Sequence, residues 1–385
     1  MSKKLKLGMV GGGEGAFIGA VHRIASRIDD RYELVAGALS SDAVRAKRSA
    51  LALGIDETRS YASFEEMAKA EAAREDGIDA VSIVTPNHMH FPVAKAFLEQ
   101  GIHVICDKPV TIDLAQALEL KKIVAESGKI FALTHNYTGY PLVRQARKMV
   151  ADGLLGDIRL VQSEYIQDWL TDAQEQTDNK QAQWRTDPEK AGAGGSLGDI
   201  GTHAFNLASF ISGLDVTEVS AELTAFVPGR VLDDNAHVML RYANGAKGLL
   251  WSSQVAPGNE NGLKVRIYGD KGGLEWAQEN PNELWFSPFG EPVQKLTRAG
   301  HGVGEVANRV SRTPAGHPEG YLEGFANLYS DVADAILAHN ENLPAPEFSN
   351  HIPGIAAGIA GMEFIEKVVQ SSRDNGVWTS LDGHK

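Results

Sequence analysis

The stretch Leu5-Lys6-Leu7-Gly8-Met9-Val10-Gly11-Gly12-Gly13-Glu14-Gly15-Ala16-Phe17-Ile18-Gly19 decides how the first third of the chain folds. Leu5 to Val10 alternates lysine with apolar residues and then breaks at consecutive glycines. Phe17, Ile18, Val21, Ile24 and Ile28 recur at helical spacing. A strand, a glycine turn and a helix in that order suit a dinucleotide. One glycine permits the tight turn, another lets backbone N–H groups approach a pyrophosphate, and a third permits close packing of helix on strand. Gly11, Gly13 and Gly19 are the candidates, with a longer spacing than usual, as if Glu14-Gly15-Ala16 were inserted. The alternative is a glycine turn that serves packing alone.

Outward from this turn, short apolar runs alternate with helical patterns: Tyr32 to Leu39, Asp79 to Val84, His103 to Cys106 and Ile130 to Thr134 as strands, with Ala43 to Leu53, Phe91 to Leu98 and Asp113 to Glu126 as helices. That alternation predicts a parallel sheet covered on both faces. Beyond about residue 150 the pattern changes. Ile158 to Gln167 reads as a strand, Gln174 to Lys190 as a polar loop and Ser196 to Ile211 as a helix. From Val216 to Trp285 strands succeed one another, with Asn244-Gly245 as a hairpin turn. Strands without intervening helices predict an antiparallel sheet. The fold class expected is α/β plus α+β: a doubly wound N-terminal domain over 1–134, then a domain over 135–385 with a large open sheet. Tyr321 to Leu337 and Ile352 to Val369 read as helices of the second domain.

Composition narrows the function. The chain has 385 residues, 43% of them apolar, and 37 basic against 50 acidic side chains give a net charge of −13. A core can be buried, and a basic footprint for nucleic acid or a polybasic membrane patch is not expected. The single cysteine, Cys106, excludes an intramolecular disulfide and a cysteine-built zinc cluster. No run approaches 18 apolar residues, and Lys3, Lys4 and Lys6 lead into glycines rather than an apolar segment. A cytoplasmic enzyme without membrane or nucleic-acid partners is the expectation.

Two places carry chemistry. Asp107-Lys108-Pro109 follows a strand whose C-terminal end should face the cofactor crevice. A lysine there can hold a substrate oxygen or pass a proton; the alternative is a solvated charge. Asp199 and His203 stand four apart in Gly194-Gly195-Ser196-Leu197-Gly198-Asp199-Ile200-Gly201-Thr202-His203, on one face of a helix. A carboxylate can orient an imidazole as a general base. A surface pair, or a metal site with His88 and His90, are the alternatives, and no metal is expected. Counting 21 residues from Gly19 reaches Ser40, within Leu39-Ser40-Ser41-Asp42. Asp42 offers a carboxylate to a ribose hydroxyl, or simply caps the next helix; Arg45 would suit a 2′-phosphate. NAD is the expected cofactor and NADP the alternative.

In combination these residues resemble the glucose–fructose oxidoreductase/inositol dehydrogenase (Gfo/Idh/MocA) family of sugar dehydrogenases over nearly the whole chain. Gly11-x-Gly13 with Gly19-x-x-His22, Thr85-Pro86-Asn87-His88-x-His90, Asp107-Lys108-Pro109 (Asp where the family has Glu) and Gly198 to His203 are similar to its four motifs. Tyr165 to Trp169, Trp184-Arg185 and Gly194 to His203 resemble bacterial enzymes that oxidise sugars or anhydrosugars at C3. The resemblance implies a Rossmann domain, an open-sheet second domain, a nicotinamide cofactor, a carbohydrate substrate and a homodimer or homotetramer. It implies Lys108, Asp199 and His203 as the catalytic set, leaving open whether Lys108 or His203 is the formal base. Cofactor residues would be Gly11, Gly13, Phe17, Ile18, Ser40, Asp42, Thr85, Pro86, Asn87, His90, Asp107, Lys108, Asn136, Trp184 and Arg185. Substrate residues would be Lys108, Tyr137, Tyr165, Gln167, Asp168, Trp169, Asp199, His203, His317 and Tyr321. A glycoside-cleaving enzyme that recycles a retained NAD, and a non-catalytic cofactor sensor, are the competing readings.

Overall fold

The computed structural model describes residues 4–383, so Lys3 lies outside the described residues. The chain forms two compact units: Met1–Asn136 with Tyr321–Ile359, and Tyr137–Gly320 with Ala360–Lys385.

In the first unit five strands, β1 (Leu5–Gly11), β2 (Tyr32–Ala38), β3 (Ala80–Val84), β4 (His103–Cys106) and β5 (Phe131–Leu133), pair in parallel in the order β2-β1-β3-β4-β5. Helices α1 (Phe17–Ile28), α2 (Ala43–Ala52), α3 (Phe64–Ala72), α4 (His90–Glu99) and α5 (Leu114–Ser127) lie between them in sequence. β3 and β4 are buried at every position, as central parallel strands covered on both faces must be. Asp42, Ser63 and Asp113 start α2, α3 and α5 by accepting the N–H of Arg45, Glu66 and Gln116. The strand order reverses at β1, which pairs with β2 on one side and β3 on the other. A crevice therefore opens beyond the C-terminal ends of β1 and β3.

The long helix Tyr321–Asn340 also belongs to this unit, whereas the sequence placed it in the second domain. Its Phe325, Ala326, Tyr329, Val332, Ala333 and Ile336 are buried with Leu5, Leu7, Val21 and Ala25. An amphipathic helix advertises an apolar stripe but not which surface covers it, so periodicity alone did not assign it.

The second unit contains α6 (Pro141–Ala151), β6 (Ile158–Ile166), α7 (Lys180–Arg185), α8 (Pro188–Ala191), α9 (Thr202–Ser212), β7 (Val216–Thr224), β8 (Asn235–Tyr242), β9 (Lys247–Ser253), β10 (Gly262–Gly269), β11 (Gly272–Ala277), β12 (Glu283–Pro288), β13 (Gln294–Thr297), α10 (Glu305–Asn308) and, after the last helix Ile355–Arg373, β14 (Thr379–Ser380). Nine strands form one open sheet in the order β13-β12-β11-β10-β6-β9-β8-β7-β14, antiparallel except where β6 meets β9. The β8–β9 hairpin turns at Asn244-Gly245, with Gly245 at φ 90°, as its sequence predicts. On one face Val265, Ile267, Leu274 and Trp276 are buried, while Leu160, Met239, Leu249 and Trp285 are exposed.

Two local expectations are corrected. The segment 174–190 is not simply a loop: it holds α7 and α8, because Asn179 and Asp187 cap their first turns and Pro188 occupies the first position of α8. The helix expected from Ser196 opens instead with a π-helical turn, Leu197–Gly201, before α9 begins at Thr202. Among the described residues no helix is long and apolar enough to cross a membrane.

One buried histidine makes the first unit sensitive to acid. His103 accepts the Ile130 N–H on Nδ1 at 2.9 Å, and its Nε2 lies 3.4 Å from Asn340 Oδ1. This is the neutral tautomer, and burial pushes the ring down to about 4. The unfolded chain, near 6.5, takes up the proton first, so the stabilisation present above pH 6.5 is lost as pH falls towards 4, by about 3 kcal/mol at most. The expected result is a shallower fall of Tm between pH 6.5 and 4 in His103→Gln than in the wild type. Parallel curves would remove His103 as the cause.

Candidate active site

At the end of β1 the chain turns through Gly11 and Gly12, at φ 80° and 70°, a region that favours glycine. A Cβ on Gly13 would lie 2.6 Å from Leu39 O, and one on Gly19 would collide with Gly12 Cα. The turn and the first turn of α1 are thus in backbone contact. No side chain caps α1, and Phe17 at its start is exposed, so its leading N–H groups remain available to an anion. The inserted residues fold back onto α2: the Glu14 N–H reaches Ser49 Oγ at 3.0 Å and the Glu14 carboxylate pairs with Arg48. At the tip of β2, Ser40 Oγ accepts the Asp42 N–H, and Asp42 Oδ1 accepts the Arg45 N–H, which caps α2.

The ends of β3 and β4 complete the crevice. Thr85 Oγ1 and Asn136 Nδ2 are buried and have no hydrogen-bond partner among the described residues. Buried polar atoms are normally satisfied, so orphans at this rim fit a ligand with its own donors and acceptors, as a nicotinamide carboxamide and ribose would have. His90 has a different place from the one its motif suggested. It is fully buried, with Nδ1 2.6 Å from Pro109 O and Nε2 2.9 Å from Thr85 O, and braces the segments after β3 and β4 against each other.

Behind half-buried Lys108 lies a polar chain of which sequence reading assigned only Asp107, to the cofactor. Asp107 Oδ1 accepts the Thr134 hydroxyl at 2.9 Å and lies 3.8 Å from His22 Nε2. His22 is fully buried, with Nδ1 2.8 Å from Tyr329 OH and 3.2 Å from Ser82 Oγ. Burial alone would raise Asp107, but His22, His90 and Lys108 together hold its carboxyl well below the usual range. His135 is pushed down to about 3 by burial and by the Lys108 charge, and so stays neutral. The Lys108 charge acts on both the ionised Asp107 and the neutral His135.

In the second unit the π turn and α9 present Asp199 and His203. The buried His203 ring meets Tyr137 edge-on at 4.9 Å and lies 6.0 Å from Tyr165. The Tyr137 and Tyr165 hydroxyls are 2.7 Å apart, and Tyr165 OH donates to Asn261 Oδ1 at 2.7 Å. Gln167 Nε2 reaches the same oxygen at 2.9 Å, and Trp169 Nε1 donates to Gln167 Oε1 at 3.1 Å. Burial raises Tyr137 to about 12, which keeps its phenol protonated. The Asp199 carboxylate accepts Arg185 Nε at 3.2 Å and Gln254 Nε2 at 2.9 Å, while Arg185 stacks on Trp184 at 4.2 Å. Asp168 accepts the Gly258 N–H.

Tyr137, Tyr165, Gln167, Trp169 and His203 thus share one cluster, and Trp184-Arg185 adjoins Asp199. His317 and Tyr321 are placed otherwise. His317 is exposed, in a loop that the buried Arg298–Glu319 pair braces, and Tyr321 packs on Phe325 at 5.2 Å in the first unit. Asn261 and Gln254 were missed, because nothing in a sequence marks them. Register brings them in: Gly262 pairs with Ile166 and Ser253 with the same residue, so the segments flanking β10 and β9 run beside Gln167. Among the described residues no group of His, Cys, Asp and Glu is arranged to hold a metal.

Residues 5–135 match the model of an oxidoreductase family with an NAD-binding Rossmann fold, and residues 143–275 match the GFO/IDH/MocA C-terminal domain. An oxidoreductase from Sinorhizobium meliloti is 56% identical, over 98% of this chain and 99% of that one, with a TM-score of 0.89. The chain belongs to the GFO/IDH/MocA family. It is an NAD-binding oxidoreductase. Within the family it is similar to an inositol dehydrogenase homolog from Azotobacter vinelandii, complexed with NADH and myo-inositol, at 36% identity over 99% of this chain and 98% of that one, with a TM-score of 0.91. It is also 27% identical to the levoglucosan dehydrogenase of Pseudarthrobacter phenanthrenivorans, over 79% of this chain and 86% of that one.

Because the Gly12–Gly19 approach leaves no room for a methyl group, Gly19→Ala should weaken NAD binding by about tenfold or more in protein that keeps the wild-type Tm. Calorimetric titration with NAD⁺ measures this. An unchanged Kd would detach the glycine turn from the cofactor.

Proposed function

We propose that this oxidoreductase removes hydride from a secondary hydroxyl of a cyclic polyol, sugar or glycoside. The observation that carries the reading is the cluster around His203: an imidazole walled by tyrosine rings, beside amide and carboxylate groups that pair with hydroxyls. Flat apolar faces with directional donors and acceptors suit a carbon ring bearing several hydroxyl groups. The relatives that act on or bind inositol and levoglucosan support the substrate class, and the earlier resemblance to C3-oxidising enzymes gives the carbon to test first.

Bound NAD⁺ would supply the hydride acceptor. Gly11, Gly13 and the first N–H groups of α1 at Phe17 and Ile18 would hold its pyrophosphate, Ser40 and Asp42 its adenosine ribose, and Thr85, Pro86, Asn87 and Asn136 its nicotinamide end. On the protein side, His203 takes the proton from the reacting hydroxyl oxygen. Lys108 donates to that oxygen and stabilises the charge that builds on it as the C–H bond breaks. The preceding Asp107 is held by His22 and Thr134. Asp199, fixed by Arg185 and Gln254, accepts a neighbouring substrate hydroxyl. Tyr165, Gln167, Asp168 and Trp169 line the ring.

Lys108→Ala and His203→Ala should each lower kcat by about 100-fold or more while the Kd for NAD⁺ stays near wild type in His203→Ala. The assay is NADH formation at 340 nm on a panel of inositols, hexoses, anhydrosugars and glycosides, with NAD⁺ and NADP⁺ supplied separately. Full activity in His203→Ala would remove it from the mechanism.

The link of Glu14 to Arg48 and Ser49 favours a second reading, glycoside cleavage with a retained cofactor, since it fastens the insertion beside the glycine turn. Protein that keeps NAD through dialysis and cleaves glycosides with none added would establish it. For assembly we propose a homodimer or homotetramer. Met239 and Leu249, cross-strand neighbours on β8 and β9, are 46% and 52% exposed on the open sheet, apolar area that a second copy would cover. Leu249→Asp should therefore lower the mass measured by light scattering, and an unchanged mass would exclude this face.

A further inference from the structure

Asp233 and Asp234, the residues before β8, are both buried and belong to no motif. Asp233 receives three successive main-chain N–H groups. Gly195 donates to Oδ1 at 2.7 Å, Ser196 to the carbonyl oxygen at 2.8 Å and Leu197 to Oδ2 at 2.8 Å. The approach is so close that a Cβ on Gly195 would collide with Asp233 O. Gly195 to Leu197 lead directly into the π turn that carries Asp199, and the Asp199 N–H bonds back to Gly195 O at 2.9 Å.

Asp234 extends the junction. Its carboxylate takes the N–H groups of Phe226 and Val227 and Arg230 Nη1 at 3.1 Å. Arg230 in turn bonds Leu170 O, Asp172 O and Glu175, in the segment after Trp169. Asp234 O accepts the N–H of Gln254, whose side chain holds Asp199. One dipeptide therefore ties together the π turn, the segment after Trp169 and the amide that orients Asp199.

We propose that Asp233 is a positioning residue for the reaction: it fixes the Gly195–Leu197 backbone, and through it the places from which Asp199 and His203 act. A π turn is rare and interrupts the regular α-helical ladder. Here its leading N–H groups are anchored from outside, by charge-assisted bonds to both oxygens of one carboxylate. Burial raises the Asp233 carboxyl to about 6, so at assay pH near 8 the group is ionised and both oxygens accept. An amide in its place keeps one acceptor and turns N–H against N–H at the other. Displacement of a reacting group by about 1 Å costs about 100-fold in rate.

The inference rests on the reading of Asp199 and His203 given above. It is tested with full-length Asp233→Asn and Asp233→Ala, using myo-inositol and NAD⁺ at pH 8. Asp113→Ala, which removes the N-cap of α5, is the control for a cap with no link to the site. In both Asp233 variants kcat is expected to fall about 10- to 100-fold, with the Kd for NAD⁺ within about twofold of wild type and a larger primary deuterium isotope effect on kcat. Asp113→Ala should lower Tm and leave kcat alone. Unchanged kcat and isotope effect in folded Asp233→Asn would overturn the proposal, and so would a loss of NAD⁺ affinity parallel to the loss of kcat. If the wild type oxidises neither myo-inositol nor any other panel compound, the functional reading fails separately. Hydrogen exchange then decides: faster exchange at Gly195 to Thr202 in Asp233→Asn, with β1 and α1 unchanged, upholds the anchor, and identical exchange rejects it.

Discussion

Two backbones meet in the first unit with no side chain between them. Gly12 and Gly19 touch at a distance that excludes even a methyl group, and everything at the crevice is referred to that contact. It sets the start of α1 against the end of β1, which directs the uncapped N–H groups of the helix towards the reversal in strand order. Because β1 is bracketed by β2 and β3, the same contact fixes the turn relative to Leu39, Thr85 and, one strand further, Asp107. The dinucleotide chemistry of the family depends on backbone donors, and donors can line a cleft only where side chains do not fill it.

The residues around Lys108 show how burial and charge set the ionisation of neighbouring groups. They are an aspartate kept ionised by His22, His90 and the lysine itself, and a histidine kept neutral by burial. An isolated strand-end lysine would wander in solvent. This one lies next to a carboxylate held low by its surround, and His22 beside that carboxylate is fixed by Tyr329 and Ser82 on its other nitrogen. The second unit uses neutral groups for a similar purpose. Tyr137, Tyr165, Gln167 and Asn261 satisfy one another, so few polar atoms there are free to drift, and His203 faces rigid rings.

Much of this was legible in one dimension. Central strands such as β3 and β4 are short, mostly apolar runs that stop at Thr85-Pro86 and Asp107-Lys108-Pro109, so the parallel sheet could be read directly. The strands from Val216 onward lack helices between them, which leaves antiparallel pairing as the simple outcome. Local rules failed where several options were nearly equal. The polar stretch 174–190 contains helix caps at Asn179 and Asp187 that a composition-based reading passes over. The π turn at Leu197–Gly201 cannot be seen at all in residue types, and the carboxylate that accepts its first N–H, Asp233, lies 36 residues further on.

By itself the sequence determined the two architectures, the glycine turn and the residue types at Lys108, Asp199 and His203, because these follow from periodicity, from the absence of a Cβ and from short spacings. Tertiary structure alone decided that Tyr321–Asn340 covers the first sheet, that His90 braces main chain instead of facing outward, and that Asn261, Gln254 and Asp233 serve the second unit's cluster. Those facts depend on strand register and on which surfaces bury each other. Such pairings join residues separated by tens to hundreds of positions, and no local pattern encodes them.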